Sequence, residues 1–132
     1  MVRDVIHCSR FFQNWHSPEL IRHVQNLLQQ FSGENIIIGG DFNCPLAKDD
    51  KEGGRDPSSK KNVVAEIKLL LSSLDLEDAW RKLHPNDKQF TWRKPDQKIK
   101  CRLDYWLVSK HLLRQSPVCN VTFKSLRIVI IL

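Results

Sequence analysis

No C-x-x-C spacing joins the four cysteines, Cys8, Cys44, Cys101 and Cys119, and the five histidines are scattered along the 132 residues. The paired-ligand pattern of a zinc site is therefore missing, and free thiols of a reducing compartment are the expectation. His7 beside Cys8 is one candidate ligand pair with no second pair to complete four. No apolar run approaches the roughly 20 residues of a membrane span, and Met1-Val2-Arg3-Asp4 opens no signal-peptide pattern. The expectation is an intracellular protein, the nucleus included, with no membrane partner. Internal repeats, low-complexity tracts and a second domain are absent too, so residues 1–132 read as a single domain, with the 41% hydrophobic content of an ordinary globular core.

What the chain does have is positive charge. A net charge of +6 favours acidic partners, nucleic acid first. The cations are dense between Arg93 and Arg102, where Arg93, Lys94, Lys98, Lys100 and Arg102 face the single acid Asp96, with Trp92, Tyr105 and Trp106 alongside. Basic residues interleaved with aromatics suit phosphate contact and base stacking, which makes DNA the expected partner. The plainer alternative is a solvated hairpin whose lysines protect a sheet edge.

Element signals follow in order. Ser17-Pro18-Glu19 reads as a helix start, Leu20, Ile21, Val24, Leu27, Leu28 and Phe31 recur at helical spacing, and Gly33 stops the helix. Ile36-Ile37-Ile38 reads as a buried strand running through Gly39-Gly40 into Asp41-Phe42-Asn43. Alternation along a strand puts Asp41 and Asn43 on one face, their Cα atoms about 7 Å apart, with Phe42 turned into the core. Residues 44–61 have a loop composition, and Asp49-Asp50 within it reads as a flexible acidic turn balanced by Lys48 and Lys51 rather than a metal site. Val63, Val64, Ile67, Leu70, Leu71 and Leu74 predict a second helix, and Asp75 to Trp80 a short third one that buries Leu76 and Trp80. A hairpin is expected from strands near Lys88–Arg93 and Lys100–Val108, then a short helix over Lys110–Arg114 with Ser109 as its cap, and strands at Val118–Phe123 and Ile128–Leu132. In the long strand, alternation puts Leu103, Tyr105 and Leu107 on one face and Arg102, Asp104 and Trp106 on the other. Asp104 inside that apolar run asks for a partner or a task, the plainer alternative being a salt bridge to Arg102.

Taken together, Gly39-Gly40-Asp41-Phe42-Asn43, Asp78-Ala79-Trp80-Arg81, Phe90-Thr91-Trp92 and Arg102-Leu103-Asp104-Tyr105 resemble the endonuclease/exonuclease/phosphatase superfamily in order and rough spacing. Within it the likeness is to the apurinic-like endonuclease of non-LTR, LINE-type retrotransposons, and it spans about Ser17 to Ile130. The resemblance implies an α/β fold, a four-layer α/β sandwich of which this chain would be the second half. It implies that Asp41 positions or deprotonates the attacking water, Asn43 holds the scissile phosphate, Asp104 orients a catalytic histidine, and Thr91 contacts the nucleic-acid strand near the cut. The chemistry implied is Mg²⁺-assisted hydrolysis of a DNA phosphodiester.

Two parts of the family pattern have no match. The metal-binding Glu and an Asn before it belong to the N-terminal half of that domain, whereas here only a short helix precedes the Asp41 strand, so a truncated domain is expected. At the other end the family's Ser-Asp-His corresponds to Ser125-Leu126-Arg127. An Arg cannot shuttle a proton near neutral pH, although it can hold a phosphate. The expectation is a retrotransposon-type endonuclease fragment with at most trace hydrolysis, or alternatively a catalytically dead nucleic-acid-binding or structural remnant of a transposable element. The superfamily's phosphatase or deadenylase branch ranks lower, because the Phe-Thr-Trp and Arg-Leu-Asp-Tyr runs match the retrotransposon and apurinic group. An exposed sheet face ending in the apolar strand 128–132 predicts self-association.

Overall fold

The computed structural model describes residues 4–7, 17–55, 60–115 and 128–131. Along the chain run β1 (Asp4–His7), α1 (Pro18–Gln29), β2 (Ile36–Asp41), a 3₁₀ turn (Lys48–Asp50), β3 (Lys51–Glu52), α2 (Lys61–Ser73), β4 (Leu76–Asp78), α3 (Ala79–Leu83), β5 (Trp92–Arg93), β6 (Lys100–Cys101), β7 (Asp104–Ser109), α4 (Lys110–Gln115) and β8 (Ile128–Ile131). The fold is α/β, as expected. A five-stranded mixed sheet has the order β1-β8-β2-β7-β4, and a three-stranded antiparallel sheet has the order β3-β6-β5.

Helices α1 and α2 cover one face of the large sheet. Ile21, Val24 and Leu28 of α1 and Val63, Ile67 and Leu70 of α2 are buried with Ile36, Ile38, Tyr105 and Leu107 of the strands in one core. The helical periodicity predicts these residues correctly, and an Arg22–Glu66 ion pair of 3.0 Å ties the two helices together at the surface. Phe42 is fully buried, its ring edge-on to Tyr105 with centroids 5.7 Å apart. On the opposite face, Ala79, Val108 and Leu112 form a second small cluster with Ile37 and Leu113.

Four expectations change. Residues 76–78 are not helical: β4 pairs with β7, Leu76 opposite Ser109 and Asp78 opposite Leu107, and only Ala79–Leu83 turns into a helix. Pairing with a neighbouring strand outweighs the local preference there, and Asp78 then caps α3 by accepting from the Arg81 amide at 3.2 Å. The hairpin strand is not continuous to Val108 either. Residues 102–103 leave the ladder, so β6 belongs to the small sheet and β7 to the large one. Ser109 directly precedes α4, where a cap was expected, but its side chain is buried and its hydroxyl accepts from the Ile36 amide at 2.9 Å, stapling β7 to β2. Finally, the apolar strand β8 is interior, paired in parallel with β1 on one side and β2 on the other. Its backbone groups are satisfied on both edges, so the strand expected to template self-association is not open for it, and β1 lies ahead of α1 where only a helix was expected. The expected strand at 118–123, with Leu126 and Arg127, lies outside the described residues.

Candidate functional site

The register of β2 against β7 brings Asp41 directly opposite Asp104. Residues paired across an antiparallel ladder project to the same face, so the two carboxylates, both exposed, share one rim. Gly39 is opposite Trp106 on that face, and a Cβ at Gly39 would stand 2.3 Å from the indole, which is why a glycine sits there. Asn43 follows in the left-handed region at φ 54, and its backbone N–H donates to Asp41 Oδ1 at 2.8 Å. That turn fixes the Asp41 carboxylate, and because β2 ends at Asp41, Asn43 lies beyond the strand on which alternation had placed it. Thr91 closes the group: its hydroxyl accepts from the Leu103 and Asp104 amides at 2.9 and 3.3 Å. Four of the expected site residues, Asp41, Asn43, Asp104 and Thr91, thus lie at one end of the β2–β7 pair and its approach.

Asp41 and Asn43 open into a cleft of about 1130 Å³. Its wall is unexpected. Lys48, Lys51, Arg55, Lys60, Lys61 and Lys68 line it, with Asp41 as its sole acid among the lining residues. These cations come from the segment between β2 and α2 and from α2 itself, where scattered lysines look like ordinary composition. Lys60 reaches the Asn43 carbonyl with its ammonium, joining the start of α2 to the site turn.

The expected hairpin cations lie elsewhere. In the small sheet Lys51, Cys101 and Trp92 form one row, and Glu52, Lys100 and Arg93 the next. Successive rows face opposite sides. Lys51, Cys101 and Trp92 line the cleft, whereas Lys100 pairs with Glu52 at 2.9 Å and both Lys100 and Arg93 lie over the Phe90 ring. The Lys100 hydrogen bond holds the Glu52 carboxyl below its ordinary range. Lys94 pairs with Asp96 at 3.4 Å at the turn, and Lys98 is exposed beside it.

Arg102 is a correction. It is 1% exposed, and its guanidinium is held by Asp50, with Nε to Oδ1 at 2.9 Å, and by both oxygens of Asp78, with Nη1 to Oδ1 at 3.1 Å. It cannot reach a phosphate. Burial alone works against its charge, but the hydrogen bonds and field of Asp78 and Asp50 outweigh that and raise its pKa. Asp104, for its part, is not the partner of Arg102, since the break at 102–103 turns Arg102 inward and leaves Asp104 outside.

Asp50 is a second correction, because it is fully buried rather than part of a flexible turn. It binds Arg102 and Arg81, the latter at 2.7 Å, accepts from the Ala47 amide at 3.0 Å, and its backbone carbonyl accepts from the Arg102 amide at 2.8 Å. The Tyr105 hydroxyl donates to the Arg102 carbonyl at 2.7 Å and accepts from the Leu46 amide at 3.0 Å. Burial, then the field of Asp50, pushes the tyrosine pKa far above its ordinary value. Burial likewise pushes the neighbouring Cys44 thiol up to about 11, which keeps it protonated and unreactive. The Asp78-Ala79-Trp80-Arg81 motif therefore builds the support beneath the cleft wall. The sequence clue to Asp50 was its position beside Lys48 and Lys51, but only the fold shows which charges it meets.

Among the described residues no three His, Cys, Asp or Glu side chains converge into a cluster that could hold a metal ion. Asp41 and Asp104 do not build a metal centre by themselves. Among the same residues, no helix is long and apolar enough to cross a membrane.

Residues 5–125 match the family described as the Endonuclease/Exonuclease/phosphatase family. The chain is also 33% identical over 110 residues to the "Transposon TX1 uncharacterized 149 kDa protein" of Xenopus laevis, an alignment covering 79% of this chain and 8% of that protein. It thus spans a small part of that relative's length.

Proposed function

We propose, for a chain that belongs to the endonuclease/exonuclease/phosphatase family, that it is the nuclease-type domain of a LINE-like transposable element and engages the phosphodiester backbone of DNA with little or no turnover. The observation that supports this reading is the placement of Asp41 opposite Asp104, with Asn43 and Thr91 beside them, at the mouth of a cleft whose wall is cationic. A phosphate in that cleft meets positive charge from the α2 side and an amide donor from Asn43. Asp41, oriented by the Asn43 backbone, is the acceptor for a proton of an attacking water.

Turnover is limited by what completes the reaction. Leu126 and Arg127 stand where the family resemblance expects the acid–histidine pair. Neither can donate a proton to the departing oxygen near neutral pH, and loss of general acid–base catalysis costs about 10²–10⁴ in rate. Binding survives this change, because phosphate contacts need only positioned positive charge.

The test is nicking of supercoiled plasmid with Mg²⁺ present, together with binding of the same DNA. Binding with no more than trace nicking is expected. Robust nicking that Asp41→Ala abolishes would overturn the low-turnover reading and show that other residues complete the site.

A further inference from the structure

We infer that the cationic cleft holds a single-stranded stretch of nucleic acid, its phosphates on the α2 wall and a base on Trp92. The inference rests on the nuclease-type reading above and assigns the strand a path along Lys48, Lys51, Arg55, Lys60, Lys61 and Lys68 instead of over the tip of the basic hairpin. Three observations carry it.

Charge comes first. Six cations and one carboxylate line the cleft, an imbalance that fits a polyanion and no neutral or cationic ligand. Among the described residues Lys48, Arg55, Lys61 and Lys68 make no ion pair, while Lys94 and Lys100 of the hairpin are already paired with Asp96 and Glu52.

Size comes second. At about 1130 Å³ the cleft exceeds the roughly 300–1,000 Å³ of small-molecule sites, so it has room for a stretch of chain rather than one nucleotide.

The third observation is the small sheet. Trp92 is 44% exposed and lines the same cleft with Ile99 and Leu103. A cationic track beside an exposed indole is the arrangement that binds unpaired strands, whose bases are free to stack, whereas a duplex keeps its bases paired inside. Sheet geometry sets this up: Lys51 and Trp92 flank Cys101 in one row, so charge and ring face the cleft together.

The experiment is fluorescence anisotropy against salt, using labelled dT and rU 15-mers and a 15-base-pair duplex. The proteins are the full chain, an Arg55→Ser/Lys61→Ser/Lys68→Ser variant, a Lys94→Ser/Lys98→Ser/Lys100→Ser variant and Trp92→Ala, with circular dichroism as the folding control. The substituted cations of the cleft are all exposed, so their removal leaves the fold intact. The inference expects the single strands to bind more tightly than the duplex. At about 0.7 of log–log slope per phosphate contact on single strands, the cleft variant should lose about two units and the hairpin variant almost none. Trp92→Ala should weaken single-strand binding about 5- to 150-fold with the slope unchanged, the loss of one stacked base. The dT and rU arms distinguish DNA from RNA as the strand that fits. Duplex binding that only the hairpin variant weakens would overturn this inference while the nuclease-type reading stands. Failure of the full chain to bind any of the three nucleic acids at low salt would overturn both.

Discussion

Asp41 and Asp104 are paired across the β2–β7 ladder, so two carboxylates that lie 63 positions apart in the chain project side by side from one sheet face. Like charges directly opposite on a sheet destabilise it. The fold would be better served by an uncharged partner at either position.

Asp104→Asn should therefore raise stability, by up to about 1 kcal/mol at low salt, because it removes the repulsion and keeps the side-chain shape. Both side chains are exposed, so the gain should shrink as screening shortens the reach of the charges. Urea unfolding at low and high salt measures it. No gain at low salt would show that the two carboxylates do not repel each other across the ladder.

Asp50→Ala should cost about 3–5 kcal/mol, because it leaves the buried Arg102 and the half-buried Arg81 short of their shared partner. The double change Asp50→Leu/Arg102→Leu should cost less than the single one, since the fully buried guanidinium leaves with its partner and only the part-buried Arg81 and Asp78 lose a contact. Denaturant melts of the three proteins decide the point. Equal costs for the single and double variants would show that shape, not charge pairing, makes Asp50 important.

Gly53→Ala should destabilise the loop wall of the cleft by about 1–3 kcal/mol. Gly53 has φ +76, and a Cβ there would lie 2.0 Å from the Lys98 carbonyl oxygen, which cannot give way without moving the hairpin. Gly33 is the control: at φ +90 it has nothing within 4 Å, so Gly33→Ala carries the conformational cost alone. Thermal melts should rank the two in that order, and a Gly33 variant as unstable as the Gly53 one would remove the steric explanation.

Tyr105→Phe should flatten the alkaline limb of the stability profile. Burial raises the folded-state pKa above the unfolded value near 10, so the folded protein binds the phenolic proton more tightly. The resulting stability is complete below about pH 10 and is lost as the pH rises above it toward the folded pKa. The phenylalanine variant lacks this loss, and its profile should be shallower by up to about 1.4 kcal/mol per pH unit there. It should also be less stable at neutral pH by about 1–3 kcal/mol, because the Leu46 amide and Arg102 carbonyl lose their buried partner. Urea melts from pH 7 to 11.5 test both statements, and parallel alkaline limbs would contradict the first.

The sequence by itself determined the periodic elements and the residues of the acidic rim. Helical spacing in α1 and α2 and the run from Ile36 to Asn43 are local patterns, set by which side chains must leave water and by the alternation of a strand. The Asp41, Asn43, Thr91 and Asp104 motifs were legible for the same reason, each being a short string of adjacent residues. Only the tertiary structure decided what lies between those strings. Leu76–Asp78 is a strand because β7 offers it a ladder, and Arg102 turns inward because the chain changes sheets at residues 102–103. Asp50 becomes a buried hub only once Arg81 and Arg102, 31 and 52 residues away, close on it. The two basic surfaces are separated for the same cause. A dense run of lysines along the chain marks charge by its sequence neighbours, but the parity of the small sheet turns Arg93 and Lys100 away from the cleft, and the folding of the loop and α2 gathers six other cations, between Lys48 and Lys68, around it.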